Sequence, residues 1–137
     1  MELMNKEIKK IPKRGEIWLA DYNYKPKKGK ERELEIESLI KKIRPSLIVS
    51  NDAQNEFDIE VIVVPLSSQE LKIIRPHELL IKKSEENGLD EDSKLLFNRL
   101  RNIEKDTRLG EHRIGVVSKE IMEEAKEKLK IVLDLED

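Results

Sequence analysis

Ile43-Arg44-Pro45-Ser46-Leu47-Ile48-Val49-Ser50-Asn51-Asp52, followed by Val61-Ile62-Val63-Val64-Pro65-Leu66-Ser67-Ser68, are the stretches whose reading decides the fold. Each holds a short apolar run rich in β-branched residues, the pattern of a buried strand. Polar residues mark the strand ends, with Arg44 before the first and Ser67 and Ser68 after the second. In an antiparallel pair the start of one strand lies beside the end of the other. A guanidinium and a hydroxyl would then share one mouth of a small sheet, an arrangement that suits a phosphate group. An arginine on a turn and two serines in a loop would have the same sequence, and spacing alone does not separate the two readings.

Working outward, residues 16–22 alternate as a first strand, 46–50 and 59–66 are the second and third, and 78–83 make a short fourth. Residues 51–58 are polar and read as a turn. Residues 95–103 alternate imperfectly and read as a fifth strand or as a helical stretch; Leu96, Asn98, Leu100 and Asn102 share one side, Leu95, Phe97, Arg99 and Arg101 the other. Residues 113–117 are the last strand. Ser118 then reads as an N-cap with Glu120 in the first turn. Ile121, Met122, Ala125, Leu129, Val132 and Leu133 recur at helical spacing as one apolar stripe. Short strands and one amphipathic helix predict a mainly β, α+β domain: a small, strongly bent antiparallel sheet with a C-terminal helix.

A chain of 137 residues suits one domain with one modest core, and no repeat or linker divides it. Cysteine is absent, which excludes disulfides and thiolate metal sites. Residues 1–13 carry charges without an apolar stretch, unlike a signal peptide, and no run approaches the roughly 18 apolar residues of a membrane span, so a cytoplasmic location is expected. Net charge is −2, so any nucleic-acid contact needs a local patch. Residues 1–30 supply one, with nine Lys/Arg against four Asp/Glu. Lys25, Lys27, Lys28 and Lys30 surround Gly29, with Tyr22 and Tyr24 just upstream. Basic groups beside aromatics can neutralise phosphates and stack on unpaired bases, although a solvated lysine-rich loop has the same composition.

The order of short motifs carries more. Arg14-Gly15-Glu16-Ile17-Trp18 precedes the Arg44-Pro45 strand; Gly88-Leu89-Asp90-Glu91-Asp92-Ser93, Leu100-Arg101-Asn102-Ile103-Glu104-Lys105, Arg108-Leu109 and Ile114-Gly115-Val116-Val117-Ser118 follow it. No one of these is specific. Together, in order and at this spacing, from about residue 12 to 135, they resemble the MazF/PemK family of toxin endoribonucleases. The resemblance implies an SH3-like barrel with a terminal helix, sequence-specific and metal-independent cleavage of single-stranded RNA, a homodimer, and a cognate antitoxin protein as partner, with no cofactor. It places Arg44 and Ser67 at the family's catalytic Arg and Thr positions. It also implies RNA contacts from Lys25, Lys27, Lys28, Lys30, Glu31, Pro45, Asn51, Ser68, Gln69 and Arg101.

One region departs from the pattern. Gly29-Lys30-Glu31-Arg32 has Arg where the family has Gln, and residues 33–42 add about eight more, reading as a short helix with Glu37 and Lys41 at i,i+4. This extended loop, at about 25–42, bears on which RNA word is cut more than on the reaction. Serine at 67 keeps the hydroxyl of threonine and loses the methyl that restricts its rotamers. Other chemistries are weaker. His77 and His112 lie in different segments, which disfavours a two-histidine ribonuclease, and two histidines without cysteine disfavour structural zinc. Asp90, Glu91 and Asp92 read as a solvated acidic turn, and Trp18 as core or dimer interface. Two alternatives remain. A gyrase poison of the CcdB type is disfavoured by the chain end Leu133-Asp134-Leu135-Glu136-Asp137, which lacks the apolar, Trp-bearing end of those toxins. A catalytically inactive binding member of the same fold is the other.

Overall fold

Among residues 10–23 and 43–136, which the computed structural model describes, seven strands form one antiparallel sheet. They are β1 (Glu16–Asp21), β2 (Ile43–Ile48), β3 (Glu60–Ser67), β4 (Glu78–Ile81), β5 (Ser93–Leu96), β6 (Arg101–Glu104) and β7 (Leu109–Val116). Three helices accompany them: α1 (Asp52–Phe57), α2 (Lys105–Arg108) and α3 (Lys119–Leu133). The strand order is β4-β5-β3-β2-β1-β7, with β6 on β3. The expected bent antiparallel sheet is present, but β4 and β7 end the order without pairing, so it does not close into a barrel. The lysine-rich loop and the helix expected at 33–42 lie outside the described residues.

The apolar runs are continuous because both faces of the sheet are covered. Side chains of a strand alternate between faces. Accordingly Leu47, Val49, Val64 and Leu66 join Ile17, Leu95, Phe97 and Ala125 in one buried cluster. Ile48, Val61 and Val63 join Trp18, Ala20, Ile103 and Leu109 in the other. Helix α3 lays Ile121, Met122, Leu129 and Val132 on the first cluster. Its start is the one expected, with Ser118 Oγ accepting the Ile121 N–H at 3.1 Å. The Gly-Glu-Ile-Trp stretch is pinned by a buried carboxylate: Glu16 Oε1 accepts from Lys13 N and Trp18 Nε1, both at 2.9 Å, and Oε2 from Arg113 at 2.8 Å.

Several elements differ from expectation: β2 runs over 43–48 where 46–50 was expected, β7 begins at Leu109 and not at 113, and the short helix α2 was not expected. Residues 51–58 are not a turn but contain α1, which Asn51 caps by accepting the Gln54 N–H at 2.8 Å. The helix shows no apolar stripe because it turns only Asn55 inward, where that side chain hydrogen-bonds Ser50. The segment read as strand or helix at 95–103 is partly both: β5 ends at Leu96, a 3-10 turn spans Phe97–Arg99, and β6 begins at Arg101.

Candidate active site

Proline decides where the sheet opens. Strand β3 pairs with β6 from Glu60 to Val63 and with β5 at Leu66 and Ser67. Pro65 falls in the gap between these partners, where a missing N–H costs no ladder bond. The 3-10 turn carries the chain around that gap. On the other edge of β3, β2 pairs as Ile48↔Val63, Leu47↔Val64 and Ser46↔Pro65, and there the pairing stops. Continuing this register by two residues sets Arg44 opposite Ser67.

Arg44 stands at the junction of three cavities. One, of about 520 Å³, is lined by Arg44, Ser67, Ser68 and Gln69 together with the apolar Leu19, Ile43 and Leu89. The lining from Gly88 to Glu91 and at Ile114 depends on a close backbone crossing. A Cβ on Gly88, whose φ is +71°, would come within 1.9 Å of the Ile114 carbonyl oxygen, and one on Gly115 within 2.2 Å of the Asn87 carbonyl carbon. A second cavity, about 530 Å³, includes Arg44, Ser67, Gln69, His77, Glu78 and Lys94. A third, about 250 Å³, is lined by Tyr22, Asn23, Arg44, Pro65, Arg99 and Arg101.

The surroundings of Arg44 are firmly held while its guanidinium is not. Ser46 Oγ donates to the Arg44 carbonyl at 3.2 Å and bonds the Tyr22 hydroxyl at 2.6 Å. Burial pushes that hydroxyl up to about 12, over the opposing pull of Ser46, Arg101, Arg44 and Arg108. Tyr22 therefore stays neutral beside the cations. Among the described residues, nothing hydrogen-bonds or ion-pairs with the Arg44 guanidinium. Ser67 Oγ accepts the Gln69 N–H at 3.2 Å, which leaves its own proton free to be donated. The loop after β3 is anchored by Lys94, whose Nζ donates at 3.0 Å to the carbonyls of Glu70 and Ile73 and lies 3.0 Å from Glu78 Oε1. Burial works against the Glu78 charge, but the Arg75 N–H, Lys94 and the Arg75 guanidinium hold its carboxyl below the ordinary 4.5.

The structure therefore brings Arg44, Pro45, Ser67, Ser68 and Gln69 together around one cavity and Arg101 to its neighbour. Asn51 lines none of the three and caps α1 instead. Lys25, Lys27, Lys28, Lys30 and Glu31 lie outside the described residues. The two histidines are separated: His77 borders the Arg44–Ser67 cavity, 3.9 Å from Glu78, while His112 stands exposed on β7. Asp92 accepts the Lys83 N–H, and no three His, Cys, Asp or Glu side chains cluster as metal ligands among the described residues. Trp18 is buried core. Arg99 was not singled out as a site residue; the period-two pattern it shares with Arg101 was the only signal.

This geometry has relatives. The fold matches a solved endoribonuclease in complex with its cognate antitoxin from a mycobacterial species, with a TM-score of 0.68 and 23% identity over 92% of this chain and 98% of that one. It also matches the MazE-MazF complex of Deinococcus radiodurans, with a TM-score of 0.66 and 16% identity over 93% of this chain and 100% of that one. The Mycobacterium tuberculosis toxin MazF-mt6 gives a TM-score of 0.66 and 18% identity over 89% and 99%. No curated protein matches significantly. At these identities the structures establish the fold. The family model for the PemK-like, MazF-like toxin of type II toxin-antitoxin systems matches residues 13–133, nearly the whole chain, and the chain belongs to that family.

Proposed function

We propose that this toxin's endoribonuclease activity cuts single-stranded RNA at a short sequence word, without a metal ion, through Arg44 and Ser67. One observation carries the reading: at the point where β2 and β3 part, a guanidinium with no partner among the described residues lines the same cavity as the Ser67 hydroxyl. In such a cleavage the ribose 2′-oxygen bonds to the adjacent phosphorus and the bond to the 5′-oxygen breaks. Charge builds on the phosphoryl oxygens, where Arg44 and the Ser67 hydroxyl can stabilise it. The guanidinium acts by charge and not as the base, because it is a donor with no lone pair to accept a proton. The purified protein should cut single-stranded RNA in EDTA and leave a 2′,3′-cyclic phosphate and a 5′-hydroxyl. Cleavage abolished by EDTA sinks the reading. RNA left intact while gyrase stalls on DNA points to a poison, and neither activity to a binding member.

The same reading includes a cytoplasmic homodimer bound by an antitoxin. Exposed Ile131, Leu133 and Phe57 are apolar surface suited to a protein partner. The 520 Å³ cavity combines exposed Leu19 and Ile43 with Arg44, which fits an acidic tail carrying apolar side chains. Sedimentation at micromolar concentration should give a dimer, and a monomer there removes that part. Lys27, Lys28 and Lys30 supply non-specific phosphate contacts, so replacing them with alanine lowers the salt slope by up to about 0.7 per lost contact.

A further inference from the structure

The third cavity has a feature the cleavage step does not require. Three guanidiniums, from Arg44, Arg99 and Arg101, share its 250 Å³, and no Asp or Glu lines it among the described residues. Among the described residues none of the three has a carboxylate partner. Other cations are matched: Arg75 and Lys94 with Glu78, Arg113 with Glu16, Lys130 with Glu127. Like charges gathered without compensation repel one another, and an anion between them relieves that repulsion.

The cavity is also built rather than incidental. The Tyr22 ring lies under Arg101, 5.6 Å from the guanidinium carbon, and orders it. The Tyr22 hydroxyl is held by Ser46 at 2.6 Å. Because burial raises that hydroxyl to about 12, no phenolate offsets the arginines at neutral pH. Pro65 also lines it, and brings no N–H.

We infer that the Tyr22–Arg99–Arg101 cavity is a second phosphate subsite, which grips a phosphodiester neighbouring the scissile one while Arg44 stands between the two. The inference rests on the reading of Arg44 and Ser67 given above. Guanidiniums with no acceptor among them bind phosphate oxygens bidentately, and a strand that reaches Arg44 from this side must place backbone there. The subsite makes cleavage depend on a charge the reaction itself does not touch, so a dinucleotide holding only the scissile phosphate is a poor substrate.

The test uses the shortest RNA the full-length protein cuts, found by mapping cuts in a long transcript. Uncharged methylphosphonates then replace, one at a time, the phosphates on either side of the scissile bond. The wild type should lose at least tenfold in kcat/KM at one of these positions. R99Q, R101Q and R99Q/R101Q, all at exposed positions, should cut the natural RNA more slowly, and the double variant should no longer distinguish it from the neutralised one. Equal losses in wild type and double variant overturn the subsite, as does a wild type indifferent to both replacements. A loss in the variants that follows base identity instead of phosphate charge also overturns it. So does a double variant that cuts normally but fails to bind the antitoxin, which assigns the cavity to an acidic peptide. A wild type that cuts no RNA overturns this inference together with the function above, whereas normal cutting with no response to phosphate charge overturns the subsite alone.

Discussion

Lys94 and Arg44 border the same 530 Å³ cavity, and the protein treats them in opposite ways. Lys94 is 3% exposed, with its ammonium shared among Glu78 and the carbonyls of Glu70 and Ile73. Arg44 is half-buried, fixed through its backbone by Ser46, and its guanidinium meets no partner among the described residues. A cation whose donors are all used belongs to the scaffold. A cation held in place with its donors unused is prepared for a ligand. The difference lies in the hydrogen-bond accounting, since both residues are basic, both sit on strands and both touch the cleft.

The largest effect should come from Lys94. Lys94→Met keeps the volume but leaves the Glu78 carboxylate buried without its ammonium, a change that costs about 3–5 kcal/mol of stability. Denaturant unfolding measures this directly. If Lys94→Met unfolds like the wild type yet cuts RNA slowly, the contrast collapses and Lys94 is the functional cation.

Arg44→Ala should do the reverse. Cleavage should fall by at least about 2.7 kcal/mol of transition-state stabilisation, the scale of one lost oxyanion donor, or roughly a hundredfold. Stability should hardly move, because among the described residues no partner is left unpaired. Single-turnover rates and thermal unfolding on one preparation read both numbers. Undiminished cleavage removes Arg44 from the site, and a large stability loss makes it part of the scaffold.

How much of this was legible in the sequence depends on how local each signal is. Strands β1 to β4, β7 and helix α3 follow from periodicity, and Arg44 meets Ser67 because the runs 46–50 and 59–66 allowed an antiparallel register. Helix α1 escaped because one short helix burying only Asn55 has no stripe to detect. That Tyr22, Arg99 and Arg101 line one cavity escaped because it depends on β3 exchanging β6 for β5 around Pro65, a partner switch that no local pattern encodes. Asn51 has a structural role the motif did not show: its side-chain oxygen caps α1.

The scaffold half of the comparison should also titrate. Glu78 has its carboxyl held below 4.5 in the folded protein, so the folded state binds its proton less readily than the unfolded chain. Its contribution is then complete above the unfolded value and declines as pH falls from there through the depressed folded one. The stability gap between wild type and Glu78→Gln should therefore shrink below about pH 4.5. A gap constant with pH means that Glu78 is not a charged partner of Lys94.

The smallest effect belongs to Ser67, and it sharpens the functional side of the contrast. Serine lacks the methyl that restricts threonine, so in isolation Ser67→Thr should recover ordering of one side-chain rotor, less than about 1 kcal/mol. Here the hydroxyl is already partly fixed, since it accepts the Gln69 N–H at 3.2 Å. Only part of that ordering remains to be gained, and Ser67→Thr should raise the cleavage rate by a few-fold at most. Ser67→Ala, by contrast, removes the donor itself and should cost more than Ser67→Thr gains. If Ser67→Thr and Ser67→Ala both leave the rate unchanged, the hydroxyl takes no part, and Arg44 acts without a partner across the cleft. If Ser67→Thr slows cleavage, the methyl obstructs the substrate, and the serine is a fitted part of this site.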